Sequence, residues 1–168
     1  MPRFVHEMAL TRAASTALLA CSLLLVFAVA TAGGLASASG LRDWYDGLVK
    51  APWNPPGWVF GPAWTVLYTL MAVAAWLVAR TGFDNSGVRA ALILYAVQLG
   101  LNLAWSLLFF AARSPGWALV DIIALDVLVA VTMVAFWKID ALAGWLLVPY
   151  LAWILFATSL NAWIVIRN

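Results

Sequence analysis

The sequence predicts an all-α integral membrane protein, a bundle of five transmembrane helices. Hydrophobic residues make up 66% of the 168 residues and charged residues only 10%, with a mean hydropathy of +0.99. Soluble domains are roughly 45–50% apolar and about 25% charged. The charged residues also divide the chain into five long, mostly apolar intervals. Because backbone groups in lipid must be satisfied within the segment itself, each interval is predicted as a helix.

The five helices use nearly the whole chain, so we expect a single transmembrane domain. Their predicted boundaries lie at about residues 13–35, 58–79, 90–112, 115–137 and 142–166. Short connections predict antiparallel neighbours. The longest connection, 37–57, contains charges, two tryptophans and a tyrosine, which favour an amphipathic segment at the membrane interface.

Prolines mark particular places in these helices. The pair Pro55 and Pro56 fits the start of the second helix, where a missing N–H group costs little. Pro62 and Pro149 lie within predicted helices, where each removes a backbone hydrogen bond. We expect both to bend their helices and to open space that a ligand can fill.

The first helix has an alternative interpretation. Arg3 and Arg12 precede an apolar stretch that ends in small residues, "ATAGGLASASG", and this pattern resembles a cleavable signal peptide. The apolar stretch is longer than the core of a typical signal peptide, so we interpret it as a membrane-spanning helix. The basic residues divide five against four between the two sides and predict no orientation.

Several classes of function are excluded by residues that the sequence lacks. The only histidine is His6, so the bundle has neither paired haem ligands nor a histidine metal cluster. No lysine lies in mid-span, and HExxH, GxSxG and Walker motifs are missing. The basic residues are scattered, which argues against nucleic acid as a partner. Cys21 is the single cysteine and is interpreted as a small buried hydrophobe. We therefore predict no catalytic residue, metal site or obligatory cofactor.

Tryptophan is the distinctive residue of this chain, with 11 copies. Tryptophans at helix ends are typical of an interfacial belt, and this group comprises Trp58, Trp117, Trp137 and Trp163. Other indoles lie deeper in the spans, where the N–H group needs a partner; these are Trp64, Trp105 and Trp153. The deep indoles either line an interior cavity or pack in an ordinary core.

Helical spacing places polar and aromatic side chains on common faces. In the third span this face consists of Tyr95, Gln98, Asn102 and Trp105. It must point inward, because amide groups facing lipid are costly. Comparable stripes in the second and fifth spans comprise Trp64, Tyr68, Met71, Trp153, Ala157, Leu160 and Asn161.

Two further patterns in the spans are candidates for function. Asp121 and Asp126 are carboxylates within the fourth span, and acids in a membrane are functional candidates by default. Asp121 follows Trp117 by one turn and shares its face. In the third span, Ala96, Gly100 and Ala104 have the small-xxx-small spacing that permits close helix approach. This spacing predicts a homodimer interface, with packing inside the bundle as the alternative.

Four segments together resemble the translocator protein family, whose bacterial members are called tryptophan-rich sensory proteins. These segments are "WYDGLVKAPWNPPGWVFGPAWTVLY", "QLGLNLAWSLLFF", "GWALVD" and "LVPYLAWILFATSLN". The resemblance implies a five-helix homodimer in a bacterial membrane, with the first loop and the C-terminus on the cytoplasmic side. It also implies that protoporphyrin IX or another flat apolar molecule binds in a pocket beneath the first loop.

The resemblance also implies which residues bind the ligand. Carried over by motif, they are Trp44, Trp53, Trp64, Tyr68, Asn102, Trp105, Trp117, Asp121, Trp153, Ala157 and Leu160. One departure concerns sterols, because the C-terminal sterol-recognition segment of animal members needs a tyrosine where this chain has Ala162. Cholesterol binding through that segment is therefore not expected.

A tetrapyrrole is a broad aromatic plate with carboxylates at one edge, so it is best bound by stacked indoles and by cations at the mouth of the site. Arg42 and Lys50 in the first loop are candidate cations. The sequence thus predicts a receptor or sensor that binds a metal-free porphyrin. The alternatives are an enzyme that degrades porphyrin in light, and a transporter of porphyrin or sterol, which would be expected to show two related halves.

Overall fold

The computed structural model describes residues 12–41 and 44–168, and every regular element in these ranges is helical. The five long helices are α1 (Arg12–Leu41), α2 (Phe60–Ala79), α3 (Ser86–Ser106), α4 (Pro115–Ile139) and α5 (Ala141–Arg167). Each is long and apolar enough to cross a membrane. The predicted fold class, an all-α bundle of five transmembrane helices, is confirmed.

The first connection differs from its prediction. Helix α1 continues to Leu41, although the sequence placed its end near residue 35. The extra residues are mostly alanine and serine, which carry no charge and tolerate a helix, and Ser37 donates a hydrogen bond to the Gly33 carbonyl one turn back. From residue 44 onward, the loop forms two single 3-10 turns, Tyr45–Gly47 and Gly57–Val59.

Pro62 has a different role from the one predicted. It is the third residue of α2, and the N–H groups of the first turn have no partner within a helix. Pro62 therefore removes no intrahelical hydrogen bond there and starts the helix rather than bending it. Pro149, by contrast, lies inside α5 as predicted.

Side-chain caps fix two helix starts on the side of the bundle opposite the first loop. The Asn85 side chain accepts a hydrogen bond of 2.8 Å from the Gly87 N–H at the start of α3. Asp140, the single residue between α4 and α5, accepts one of 3.1 Å from the Ala143 N–H. The one-residue connection forces α4 and α5 into close antiparallel contact.

The core lies between α2, α3, α4 and α5. Its largest fully buried side chains include Met71, Leu125, Phe136, Tyr150 and Ile154. Helix α1 packs on the outside of this group, and Trp76 on α2 donates its indole N–H to the Ser15 carbonyl of α1 at 2.9 Å. The first loop and the ends of α3 and α5 lie on one side of the bundle.

Candidate ligand site

A buried polar network joins three helices at the centre of the bundle. The Tyr68 hydroxyl on α2 donates to the Asn102 side-chain oxygen on α3. Asn102 donates in turn to the Tyr150 hydroxyl on α5 at 3.1 Å, and Tyr150 donates to Gln98 at 3.0 Å. The prediction that the third span turns its polar face inward is confirmed, since Tyr95, Gln98 and Asn102 are all buried.

Aromatic rings surround one end of this network. The Trp64 ring centroid lies 5.4 Å from that of Tyr68, 6.3 Å from Tyr150 and 6.4 Å from Trp153. Phe60 extends the cluster with an edge contact of 5.8 Å to Trp153. We call these five residues the Trp64 cluster. It contains three of the predicted ligand residues and brings α2 and α5 together.

A second group of rings lies directly beneath the first loop, and we call it the loop cluster. Phe109, in the π-helical turn Leu107–Ala111, stacks on Trp105 at 5.1 Å and meets the edge of Trp44 at 5.5 Å. Tyr45 also contacts Phe109, at 6.1 Å. The loop cluster contains two of the predicted ligand residues, Trp44 and Trp105.

Trp105 connects the loop cluster to α5 and to the start of α4. Its indole N–H donates to the Asn161 side-chain oxygen at 3.0 Å, and Asn161 donates to the Pro115 carbonyl at 2.9 Å. A deep indole in this position satisfies its N–H group within the protein. The same is not true of Trp153, whose buried N–H has no hydrogen-bond partner among the described residues.

The first loop is fastened to the C-terminal end of α5. The Trp53 ring lies 5.1 Å from that of Trp163, and its N–H donates to the Ser159 hydroxyl at 3.3 Å. Asn168 accepts a hydrogen bond of 2.9 Å from the Val49 N–H and donates one of 3.4 Å to the Val49 carbonyl. The loop therefore lies as a cover over this end of the bundle.

An apolar groove of about 700 Å³ opens between α2 and α5, beside the Trp64 cluster. Its walls include Trp58, Pro62, Ala63, Leu67, Pro149, Ala152, Trp153 and Phe156. The groove faces the outside of the bundle. The groove is open because the small residues and prolines on both helices carry no long side chain that would fill it. Trp153 lines the groove and also belongs to the Trp64 cluster.

The other predicted ligand residues lie mostly on α4 and α5. Leu160 is buried and Ala157 packs against the core, so the inward stripe on α5 is confirmed. Trp117 is 68% exposed on α4. Asp121 is half-buried, and one of its carboxylate oxygens is enclosed without a partner among the described residues. Neither Trp117 nor Trp53 makes a ring contact with a member of the Trp64 cluster.

Asp126 faces α5 instead. Its carboxylate accepts a hydrogen bond of 2.8 Å from the Thr158 hydroxyl. The two predicted acids lie on different flanks of α4, so they do not form a pair. Within residues 12–41 and 44–168, no group of three or more histidine, cysteine or acidic side chains is placed to hold a metal ion.

The cations near the loop are partly engaged. The Lys50 ammonium lies 4.8 Å above the Tyr45 ring and 4.0 Å from the Asp46 carboxylate. Burial raises the pKa of the Tyr45 hydroxyl, with a smaller opposing effect from its hydrogen bond to Asn54. Arg42, the other predicted cation, lies outside the described residues. Arg167 stacks over Trp163 at 4.7 Å.

Several residues of the site were not predicted from the sequence. Tyr150 precedes Trp153 by one turn, and this helical spacing is the signal that was available to find it. Phe60 and Phe109 carry no polar group and resemble any core residue in sequence. Asn168 contacts a loop 119 residues away in the chain, and no local pattern marks that contact.

The chain resembles known proteins over most of its length. The family model described as the TspO/MBR family matches residues 22–167. The chain is 44% identical over 151 residues to a tryptophan-rich protein TspO of Archaeoglobus fulgidus, covering 89% of this chain and 96% of that protein.

Two further relatives come from an animal and a bacterium. The translocator protein of Homo sapiens is 48% identical over 124 residues, which cover 73% of this chain and 72% of the relative. The tryptophan-rich sensory protein of Cereibacter sphaeroides is 46% identical over 134 residues, 80% of each chain. These similarities support a membrane role of the sensor or receptor type. This multi-pass membrane protein therefore belongs to the TspO/MBR family.

Proposed function

We propose that the chain binds a flat apolar molecule of the porphyrin class, such as protoporphyrin IX, in the groove between α2 and α5. The observation that carries the proposal is the position of Trp153, which lines the groove and contacts Trp64 behind it. The groove volume of about 700 Å³ lies within the roughly 300–1,000 Å³ typical of small-molecule sites. Aromatic walls of this kind bind a planar ligand by stacking.

The polar group of Trp153 also supports the proposal. The Trp153 N–H is buried without a partner, which costs free energy, and a rotation of the ring that brought this N–H to an acceptor atom on a ligand would remove that cost. At the end of α5, Arg167 supplies a positive charge on the side of the membrane where the groove begins at Trp58. A porphyrin placed with its carboxylates toward that side would keep them at the membrane interface.

The test is a titration of the purified protein with protoporphyrin IX, followed by tryptophan quenching and porphyrin absorbance. Trp153→Phe is expected to weaken binding roughly tenfold, because it removes the N–H donor and replaces the indole by a smaller ring with less stacking surface. Trp145→Phe is the matched control, since Trp145 is exposed on the same helix and contacts Trp137 instead. Equal affinity of the Trp153 variant and the unmodified protein would contradict the proposal.

Light-dependent degradation of the porphyrin is the second candidate function. The contact of 6.4 Å between Trp64 and Trp153 favours it, because one electron-rich indole backs the indole that lines the groove. Transfer of one electron from Trp153 to the photoexcited porphyrin would give an indole radical cation and a porphyrin radical anion, and reaction of the reduced porphyrin with dissolved oxygen would bleach it. Bleaching that disappears in Trp153→Phe at saturating porphyrin would support an enzyme, whereas stable absorbance would support binding alone.

We also propose that two copies associate through Ala96, Gly100 and Ala104. Ala96 and Gly100 are exposed on the outside of α3, and a Cβ atom added at Gly100 would meet no atom within 4 Å. The stripe is therefore free for a second helix to approach closely.

The proposed orientation places the first loop and the C-terminal end of α5 in the cytoplasm. It can be tested with Asp46→Cys in a Cys21→Ser background, because Asp46 is exposed in the loop. An impermeant maleimide is expected to label this variant only after the cells are permeabilised. Labelling of intact cells would reverse the orientation.

A further inference from the structure

A second apolar groove lies at the opposite end of the bundle, between α3 and α4. It measures about 520 Å³ and is open to the outside. The residues that shape it are Gly87, Ala130, Val131, Val134, Ala135 and Lys138. It exists because Gly87 has no side chain and the two alanines have only a methyl group, while the helices themselves remain in contact.

The length of this groove corresponds to one leaflet of a bilayer. From Ala130 to Lys138 a helix rises about 12 Å at 1.5 Å per residue. Half of a hydrocarbon core of about 30 Å is about 15 Å. Lys138 lies in the last turn of α4, at the polar end of the span, so the groove runs from the membrane boundary toward the bilayer midplane.

Lys138 is exposed at the mouth of the groove, and within the described ranges its ammonium has no ion pair or hydrogen bond. Two other cations on this side, Arg80 and Arg89, are engaged. The Arg80 guanidinium stacks 4.8 Å from the Trp76 ring, and Arg89 donates to the Phe83 carbonyl at 2.6 Å. The nearby acid, Asp140, caps α5. Lys138 is therefore available to an external anion.

We propose that this groove binds an anionic phospholipid of the leaflet on the side opposite the first loop. One acyl chain lies against Ala130, Val134 and Ala135, and the headgroup phosphate pairs with the Lys138 ammonium. Charge complementarity selects the anionic lipid, because a zwitterionic headgroup carries its own cation beside the phosphate. Attraction between a basic side chain and an anionic membrane surface is worth about 1 kcal/mol.

The experiment is native mass spectrometry of the full chain, released from mixed phosphatidylglycerol and phosphatidylcholine membranes. Lys138→Gln is expected to lower the retention of phosphatidylglycerol about fivefold, in line with about 1 kcal/mol per basic residue, and to leave phosphatidylcholine unchanged. Arg80→Gln removes a charge from the same side and is the matched control. An equal loss in both variants would show a general effect of surface charge and overturn the proposal.

Two further variants test the acyl-chain part of the groove. Ala135→Leu fills the space and is expected to reduce retention of both lipids; undiminished retention in a folded variant would contradict the proposal. Because this substitution can also disturb packing, Ala135→Cys in a Cys21→Ser background provides a second test. Disulfide-linked dimers through position 135 would show that a second copy, rather than lipid, occupies the groove.

Discussion

Asn102 on α3 donates a hydrogen bond of 3.1 Å to the hydroxyl of Tyr150 on α5, within the core of the bundle. The oxygen of the same amide accepts from Tyr68 on α2. One side chain thus holds three helices at a fixed spacing, directly behind Trp64. If the helices separated in a bilayer, these amide and hydroxyl groups would face lipid rather than water. The network is therefore expected to stabilise one arrangement of the helices.

Replacement of Asn102 by alanine is expected to lower the free energy of unfolding by about 1–2 kcal/mol. Single interhelical hydrogen bonds in membranes average about 0.6 kcal/mol, two are lost, and two buried hydroxyls are left without this partner. Unfolding in detergent measures the change. Thr69→Ala is the control, since exposed Thr69 bonds only its own helix. A smaller loss for Asn102→Ala than for Thr69→Ala would contradict the role assigned to the network.

Gly144 determines how closely α5 approaches α4. A Cβ atom at this position would lie 2.8 Å from the Trp137 Cβ and 2.9 Å from its Cα, which is backbone and cannot move aside alone. Gly144→Ala is therefore expected to destabilise the protein by about 1–3 kcal/mol through overpacking. The measurement is the midpoint of thermal unfolding.

Gly116→Ala provides the comparison for that change. Gly116 is also helical, and an added Cβ there meets no atom within 4 Å. Because alanine is favoured over glycine in a helix by about 1 kcal/mol, this variant is expected to unfold at the same or a higher temperature. Equal midpoints for the two alanine variants would show that the contact with Trp137 does not limit the approach of α5.

The fold was predictable because in this chain one physical requirement dominates all others. Uncharged intervals of sufficient length must be helical in lipid, and amides such as Gln98 and Asn102 must turn away from it, so both the spans and the inward face of α3 follow from spacing. The end of α1 did not follow, because alanine and serine are acceptable both in a helix and in a loop. No local sequence feature distinguishes a helix from a loop at these residues.

The site was predictable only in part, for a related reason. The pattern identifies the faces that Trp64, Tyr68 and Trp153 share with the core, but not the empty space beside them. That space depends on small residues and prolines of two helices that face each other. Packing of this kind is set by contacts between distant segments.

Asn168 is expected to control the opening of the first loop. It pairs with both backbone groups of Val49, while the Trp53 contact provides a second attachment. Asn168→Ala is expected to increase hydrogen exchange in residues 48–54 several-fold, because it removes both hydrogen bonds to Val49. Asn168→Asp keeps the acceptor for the Val49 N–H but loses the donor, so an intermediate effect is expected. Unchanged exchange in both variants would show that the loop is held elsewhere.

Two copies are expected to contact each other through the stripe of Ala96, Gly100 and Ala104 on α3. Gly100→Leu is expected to weaken self-association at least tenfold, because a bulky side chain at the centre of a small-xxx-small stripe keeps two helices apart. Val127→Leu is the control, as Val127 is exposed on α4 outside the stripe. Sedimentation in detergent and crosslinking in membranes measure the change. Since Gly100 is exposed and an added Cβ atom meets no atom of its own chain within 4 Å, the variant is expected to remain folded, and a dimer of undiminished strength would place the interface on another face.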